Sequence, residues 1–172
     1  EGAQVLQGAG AIPGSPTVLD NVALDTISYS ETGDVQLSGR ANSDGFVRVY
    51  LDNTPVTTSR ILVDGNWRTE LPDVDTGVYT LRVDEVTADG SVVSRVETPF
   101  KREDQEQLKS VADIEPGQPV LAVTVQPGWT LWRIARENYG AGIQYVRVYE
   151  ANRDRIRDPD LIYPGQVFSI PE

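Results

Sequence analysis

The stretch AVTVQPGWTLWRIARENYGAGIQYVRVYEANRDRIRDPDLIYPGQVFSIPE, which is Ala122–Glu172, decides the fold of the C-terminal part of the chain. Its first residues alternate apolar and polar side chains, with Val123 and Val125 set against Thr124 and Gln126. That alternation is the period of a half-buried strand. The Pro-Gly pair that follows ends the strand, because proline fixes φ and glycine allows a sharp reversal.

Two helices and a second strand are predicted after this turn. Thr130 is placed to cap the first helix through its hydroxyl, and apolar residues follow it at helical spacing. The Tyr-Gly-Ala-Gly run at 139–142 ends that helix. A second helix is expected over 144–152, and a strand over 167–170 would pair antiparallel with the first strand. The prediction is a small α+β domain of β-α-α-β order, with both helices on one side of a two-stranded sheet.

Five short motifs occur in this stretch in a fixed order. They are Pro127-Gly128-Trp129-Thr130-Leu131, Ile134-Ala135, Tyr139-Gly140, Glu150-Ala151-Asn152, and Ile162-Tyr163-Pro164-Gly165-Gln166 closed by Ile170-Pro171. In sequence and spacing they resemble a LysM domain, the small module that binds N-acetylglucosamine-containing glycans of peptidoglycan and chitin. The resemblance predicts a LysM domain over residues 120–172.

The resemblance also implies where a sugar would bind. In the family, the sugar lies in a shallow groove between the loop that follows the first strand and the loop that precedes the second. In this sequence these are the first loop, Gly128–Leu131, and the second loop, Asp158–Ile162. The candidate glycan-binding residues are Gly128, Trp129, Thr130, Leu131, Asp158, Pro159, Asp160, Leu161 and Ile162. Backbone groups there would bind hydroxyl and acetamido groups at about 1 kcal/mol net each, so one module would bind weakly and gain from multivalency.

Trp129 departs from the family pattern, which usually has Asp or Asn at this position. The change removes a short polar side chain that would form a local hydrogen bond at the start of the helix. Two interpretations stay open. The indole can stack on the C–H face of a sugar, since tryptophan combines a large apolar face with one donor. Alternatively, it packs across the loop or against the neighbouring domain.

The composition excludes several classes of function. There is no cysteine and no histidine, which removes disulfides, thiolate nucleophiles and the commonest metal ligand. The formal charge is −11, and it lies upstream: residues from 118 onward carry 6 basic and 6 acidic side chains, against 9 and 20 before. Such an acidic balance is unsuited to nucleic-acid phosphates. No apolar run approaches the ~20 residues that span a bilayer.

Residues 22–102 are predicted to form an all-β domain. Strand-like runs lie at 23–30, 34–41, 46–52, 56–63, 67–71, 78–86 and 92–100. Seven short strands separated by Asp-Gly turns are typical of a β-sandwich. The stretches GFVRVYLDN, DGNWRTELP and GVYTLRVDEVTADG resemble a bacterial immunoglobulin-like domain, as found before a C-terminal LysM domain in envelope proteins of some Gram-negative bacteria. Trp67, which follows a turn, is expected at the edge of the sandwich.

The remaining segments are predicted to be connections. Residues 1–21 are expected to be flexible or the remnant of a preceding repeat. Residues 103–119 are expected to be an acidic linker with a helical turn near 105–111. The chain contains no methionine, even at its start. We therefore expect a processed product or fragment whose signal peptide or membrane anchor is missing.

The leading functional hypothesis is non-catalytic binding of peptidoglycan glycan strands by the LysM-like domain. The immunoglobulin-like domain would serve as a spacer or as a surface for an envelope protein. The resemblance places such a protein in the periplasm or cell envelope.

The alternative hypothesis is a LysM-fold module that does not bind glycans and instead binds a protein or responds to potassium. The long return at 153–165 resembles single-LysM proteins, some of them cytoplasmic and potassium-responsive, and related modules of phage tails. An enzyme would need two carboxylates flanking a glycosidic bond, a zinc site or a cysteine nucleophile. No catalytic residue, metal or cofactor is predicted. One alternative stays open, a cation bound by Asp158, Asp160 and loop carbonyls.

Overall fold

The computed structural model describes residues 21–112 and 121–172. The predicted N-terminal segment, apart from Asn21, lies outside the described residues, as does the second half of the predicted linker. None of the helices within the described ranges has the length and apolar character needed to cross a membrane.

The N-terminal domain is built from antiparallel strands in two sheets. The strands are β1 (Ala23–Tyr29), β2 (Val35–Arg40), β3 (Phe46–Leu51), β4 (Thr54–Arg60), β5 (Asn66–Leu71), β6 (Gly77–Val86) and β7 (Val92–Arg102). One sheet has the order β1-β2-β5 and the other the order β4-β3-β6-β7. The seven predicted strands are therefore all present, with ends that differ by a few residues.

Alternate residues of both sheets fill one core between them. Val35 and Leu37 of β2 face Val49 of β3 and Phe100 of β7 in this cluster. Trp67 is 1% exposed and belongs to the same core. It lies on β5, an edge strand of its sheet as expected, but its side chain is buried in the core between the two sheets. The two sheets thus share one interior, which makes this domain a β-sandwich.

The β3–β4 hairpin shows how a local turn sets register. Asp52 and Asn53 both have positive φ, 49° and 65°. Two consecutive positive φ values are the mark of a type I′ turn, whose twist matches that of the flanking strands. The turn places Leu51 directly opposite Thr54.

The C-terminal domain contains two strands and two α-helices in the order β8, α2, α3, β9. These are β8 (Leu121–Thr124), α2 (Leu131–Tyr139), α3 (Tyr145–Ala151) and β9 (Val167–Ile170), with a 3-10 turn over Gly142–Gln144 leading into α3. The two strands pair antiparallel. Buried residues from β9 and both helices form a second core, separate from that of the sandwich.

The ends of α2 follow the predicted capping chemistry. The hydroxyl of Thr130 accepts a hydrogen bond from the backbone N–H of Arg133 at 3.1 Å. Gly140 ends the helix with φ 78°, a left-handed conformation that glycine adopts without steric cost. Leu131 and Ile134, one turn apart, carry the buried face of the helix. The prediction of this helix from its caps and its apolar spacing is confirmed.

The predicted linker begins with ordered structure. Helix α1 spans Gln105–Ala112, somewhat longer than the helical turn expected there. Asp104 caps it, since its carboxylate accepts a hydrogen bond from the backbone N–H of Gln107 at 2.7 Å. The chain after β7 is therefore a helix, at least as far as residue 112.

The turn at residues 163–166, which we call the docking turn, rests on the sandwich. The backbone N–H of Lys101 donates to the carbonyl of Pro164 at 2.8 Å. The hydroxyl of Tyr29 donates to the carbonyl of Gly165 at 2.7 Å. A Cβ at residue 165 would collide with the carbonyl oxygen of Lys101, and φ there is 92°. This close approach therefore requires glycine for two reasons.

Two side chains extend the contact between the domains. The carboxylate of Glu103, which is 2% exposed, accepts a hydrogen bond from the backbone N–H of Val167 at 3.0 Å. The amide of Gln126 accepts from the N–H of Ile27 at 2.7 Å and donates to its carbonyl at 2.8 Å. Since β1 is the edge of its sheet, Gln126 occupies backbone groups that a neighbouring strand would otherwise use.

Candidate ligand-binding site

The first loop presents mostly backbone to the solvent. Gly128 is exposed at φ 78°, and Trp129 closes the turn by donating its backbone N–H to the carbonyl of Gln126 at 3.1 Å. Thr130 is exposed and uses its hydroxyl as the helix cap. Leu131 is 2% exposed, with its side chain in the core. Leu131 can therefore reach a ligand only through its backbone, whereas the other three residues are accessible.

Trp129 lies at the boundary between the two domains. Its ring is half-buried and packs against the core of the C-terminal domain. The guanidinium carbon of Arg133 lies 5.2 Å from the ring centroid, within the range of a cation–π contact. Trp129 also lines a cleft shared with the sandwich. The residue thus packs on its own domain, is only half-buried, and borders the cleft.

The second loop is held by local hydrogen bonds. The carboxylate of Asp158 accepts from the N–H of Asp160 at 2.9 Å, and its carbonyl accepts from the N–H of Leu161 at 2.9 Å. Leu161 is 52% exposed, and Pro159 is half-buried. Ile162 packs on the same core as Leu131 and Trp129, which brings the two loops to one core of the domain. Across residues 21–112 and 121–172, no three acidic side chains cluster in a way that could hold a metal ion.

Asn152 fixes the return segment that leads to the second loop. Its amide nitrogen donates to the carbonyls of Val148 at 2.7 Å and Ser169 at 2.8 Å. Its amide oxygen accepts from the N–H of Ser169 and from the guanidinium of Arg155, both at 2.8 Å. The side chain is fully buried. Asn152 therefore has a structural role, since both ends of its amide are used in hydrogen bonds within the domain.

A cleft of about 550 Å³ opens between the two domains beside the first loop, and we call it the interdomain cleft. The sandwich supplies Asp25 and Arg40 to its lining, and the C-terminal domain supplies Pro127, Trp129 and Arg133. None of the residues 158–162 lines it. Its size is within the range of pockets that hold small molecules, about 300–1,000 Å³.

The charges in the interdomain cleft are paired. Arg40 forms two hydrogen bonds to Asp25, from Nε at 2.7 Å and from Nη2 at 2.9 Å. These hydrogen bonds raise the pKa of Arg40. Arg133 donates from Nε to Glu137 at 2.9 Å. The cleft therefore offers polar groups and an aromatic face with little net charge.

The sequence interpretation included Trp129 but missed Asp25, Arg40 and Arg133. Their role in the cleft depends on how the two domains meet, which alternation within a strand does not reveal. Asp25 lies at a β-bulge, where the pairing of β1 with β2 shifts register between Leu24 and Thr26. A bulge changes the direction in which a side chain points, and a bulge can be recognised only once the pairing of the strands is known.

Comparisons with known proteins agree with the organisation of the C-terminal domain. The family model described as LysM domain matches residues 123–171. Over 49 residues the chain is 47% identical to "Potassium binding protein Kbp" of Escherichia coli O6:H1, which covers 28% of this chain and 33% of that protein. Over 65 residues it is 38% identical to an uncharacterised protein of Deinococcus radiodurans, which covers 38% of this chain and 24% of that protein.

These similarities concern one part of the molecule. The matched segments span about a third and about a quarter of the two relatives. No solved structure matches the chain significantly. Residues 123–171 are a LysM domain, which follows a mostly β N-terminal region.

Proposed function

We propose that this protein binds the N-acetylglucosamine-containing glycan strands of peptidoglycan without catalysing a reaction on them. The observation that carries the proposal is the LysM match over residues 123–171, because LysM is a binding domain with a general association with carbohydrate and peptidoglycan. The family groove would lie between Gly128–Leu131 and Asp158–Ile162.

The chemistry of the two loops supports a neutral glycan as ligand. Gly128, Asp160 and Leu161 are exposed. Because the N–H groups of Asp160 and Leu161 bond within the second loop, the carbonyl groups of these two residues are the ones that would bind the hydroxyl and acetamido groups of a sugar. The half-buried indole of Trp129 adds an apolar face for stacking. Each hydrogen bond contributes about 1 kcal/mol net, so a single module binds weakly and gains from several copies along one glycan.

The N-terminal domain fits an immunoglobulin-like sandwich that acts as a spacer or a protein-binding surface. Its strand order supports this, with three strands in one sheet and four in the other. It differs from the constant-type arrangement in that β4 pairs with β3 rather than with β5. The docking turn would let this domain hold the LysM domain in a set orientation on the cell wall. The setting we propose is the periplasm or cell envelope.

Sedimentation of the purified chain with insoluble peptidoglycan sacculi tests this function. We expect the intact chain to sediment with sacculi and Trp129→Ala to lose most of that retention. Trp132→Ala is the matched control, because Trp132 lies three residues further along, on helix α2, is half-exposed and packs on Gly142. Thermal unfolding of each variant separates lost binding from lost folding.

A second variant guards against destabilisation, since Trp129 is partly packed on the core. Leu161→Ser changes an exposed side chain of the second loop and leaves the core intact. Reduced retention of both Trp129→Ala and Leu161→Ser, with normal retention of Trp132→Ala, supports the groove. Absence of retention of the intact chain overturns glycan binding as the function.

One comparison favours a second candidate function, a response to potassium. The relative named "Potassium binding protein Kbp" is 47% identical over the LysM segment. Potassium would be held by oxygen atoms, and the second loop offers backbone carbonyls and the carboxylates of Asp158 and Asp160. Amide NMR with matched additions of KCl and NaCl tests it. Loop shifts produced by potassium alone favour this function, and equal shifts with both salts exclude it.

A further inference from the structure

We propose that the interdomain cleft is a second glycan subsite, in which the sandwich holds a sugar unit next to the one bound by the LysM loops. The proposal rests on the proposed function and extends it. The ligand would be a neutral oligomer of N-acetylated sugars, long enough to continue from the first loop into the cleft. Asp25 and Arg40 would be its polar contacts from the sandwich.

The first observation is that the LysM loop and the cleft are continuous. Trp129 belongs to the first loop and is also a wall of the cleft, and Pro127 stands beside it. The sandwich contributes Asp25 and Arg40 to the lining of the same cleft. A glycan that stacks on the indole therefore has a polar surface of the other domain across the cleft from it.

The second observation is the state of the Asp25–Arg40 pair. Their side chains are 28% and 29% exposed, so the pair is partly sheltered yet open to the cleft. The pairing uses Nε and Nη2 of Arg40, and within the described residues Nη1 forms no hydrogen bond. The carboxylate of Asp25 also keeps lone pairs, since each oxygen accepts more than one bond. Such a pair presents a donor and an acceptor side by side, which matches two neighbouring hydroxyls of a sugar.

The third observation concerns charge. Arg40 is neutralised by Asp25, and Arg133 by Glu137. An anionic ligand would have to break or compete with these pairs. A neutral ligand uses their remaining donors and acceptors without breaking them, and the aromatic face of Trp129 supplies apolar contact. The cleft therefore fits a neutral saccharide better than an anionic group.

The fourth observation is that the walls are held before a ligand arrives. The side chain of Gln126 forms hydrogen bonds with the backbone N–H and carbonyl of Ile27. Ile27 is two residues from Asp25, and Gln126 is three residues from Trp129, so these bonds hold the two sides of the cleft together. The bulge at Asp25 sets the position of that side chain. A site whose walls are already fixed loses less free energy to ordering on binding.

The test is a calorimetric titration of the full chain with oligomers of N-acetylglucosamine, two units and five units long. Arg40→Gln is the principal variant. We expect it to weaken binding of the five-unit oligomer about tenfold, the loss typical of hydrogen bonds to a charged group. We expect it to leave the two-unit oligomer nearly unchanged, because that ligand fills the LysM groove alone.

A matched control exists in the other sheet. Arg95 forms the same two-bond pairing with Asp84, at 2.7 and 3.0 Å, and lies outside the cleft. Arg95→Gln should therefore bind both oligomers as the unchanged chain does. Asp25→Asn gives a second test of the cleft should Arg40→Gln prove unstable, and it should also lose affinity for the longer oligomer only.

The outcomes separate this proposal from the proposed function. Equal affinity of Arg40→Gln, Asp25→Asn and the unchanged chain for the five-unit oligomer overturns the subsite and leaves glycan binding in place. Equal weakening of binding by Arg95→Gln also overturns it, because the effect would then not come from the cleft. Absence of binding by the unchanged chain to either oligomer overturns the proposed function.

Discussion

The first and second loops of the LysM domain differ in what lies next to them. The first loop is preceded by Gln126, whose side chain binds the edge strand of the sandwich, and Trp129 lines the interdomain cleft. The second loop, Asp158–Ile162, is held by its own hydrogen bonds and lines no part of the cleft. It leads, however, into the docking turn. One wall of the proposed glycan groove would thus be shared with the sandwich, and the other wall would only be anchored by it.

The sandwich therefore contacts the two loops of the LysM domain in different ways. The sequence Tyr-Pro-Gly-Gln, which helps to identify the LysM domain, is used here for docking on the sandwich as well. The contacts of the docking turn and the hydrogen bonds of Gln126 to Ile27 can each be weakened by a single substitution, and we expect different consequences for the two loops.

The largest expected effect comes from Gly165→Ala, which attacks the docking turn. The new Cβ would meet the carbonyl of Lys101 and the ring of Phe100 in a left-handed backbone conformation. Left-handed strain and overpacking together should lower the free energy of unfolding of the C-terminal domain by about 4 kcal/mol. Urea unfolding followed at amides of residues 123–171 measures it.

Gly140→Ala is the control for backbone strain alone. Its φ is 78°, and a Cβ there has no neighbour within 4 Å. It should cost about 1–2 kcal/mol. Equal costs for the two alanine variants would show that the docking turn is not packed against the sandwich as described.

Asn152→Ala should have the next largest effect, and it acts within the LysM domain. The change leaves the N–H and the carbonyl of the half-buried Ser169, and the buried carbonyl of Val148, without their side-chain partner. Loss of these bonds should destabilise the domain by about 3 kcal/mol. Because the contacts to the sandwich are untouched, amides of β1 and β7 should keep their chemical shifts. Chemical-shift changes in β1 and β7 as large as those in the second loop would show that Asn152 also supports the contact with the sandwich, which would contradict this account.

The domain joint should also weaken at high pH through Tyr29. Burial raises its pKa from 10.0 to about 12, against smaller opposing effects of the N–H of Glu103 and of Arg102. The folded state therefore holds this proton more tightly than the unfolded chain. The stability it contributes, about 2–3 kcal/mol, is complete below pH 10 and is lost as pH rises towards 12.

The tyrosinate also loses the proton that the hydroxyl donates to Gly165. Tyr29→Phe removes this titration, so its free energy of unfolding should fall less steeply than that of the unchanged chain between pH 10 and 12. Urea unfolding at several pH values compares the two proteins. Identical slopes would contradict the buried hydroxyl at the docking turn.

Gln126→Ala should have the smallest effect on stability, and it acts on the first loop. It removes two hydrogen bonds to Ile27 at an edge that water can reach, a loss of about 1–2 kcal/mol. Gln144→Ala is a matched control, since the Gln144 side chain binds only an exposed arginine side chain among the described residues. The first loop should become more mobile in amide relaxation measurements, and the second loop should not. Equal mobility of both loops would contradict the assignment of Gln126 to the first loop.

Much of each domain could be predicted from local sequence. Thr130 and Gly140 bound a helix because capping is a local matter, and alternation with Asp-Gly turns located the strands of the sandwich. Contacts between distant segments could not be predicted. Tyr29 and Gly165 are 136 residues apart, and nothing in the sequence near either one indicates the other.

The candidate site shows the same division. The loops at 128–131 and 158–162 were found through the family resemblance, while Asp25 and Arg40 carry no such motif. Gln126 was interpreted as the polar position of an alternating strand, and its hydrogen bonds to another domain depend on the tertiary structure. Trp67 was placed at the edge because it follows a turn, and β5 is an edge strand, but the burial of its side chain depends on the packing of the other sheet against it.

Amide chemical-shift mapping of the full chain with the five-unit oligomer of N-acetylglucosamine tests the central claim most directly. We predict shifts in both LysM loops together with Asp25, Thr26 and Arg40 across the interdomain cleft. Sandwich amides around Arg95 should stay unchanged. Shifts confined to the LysM loops would contradict the shared wall, and absence of any shift at saturating oligomer would contradict glycan binding itself.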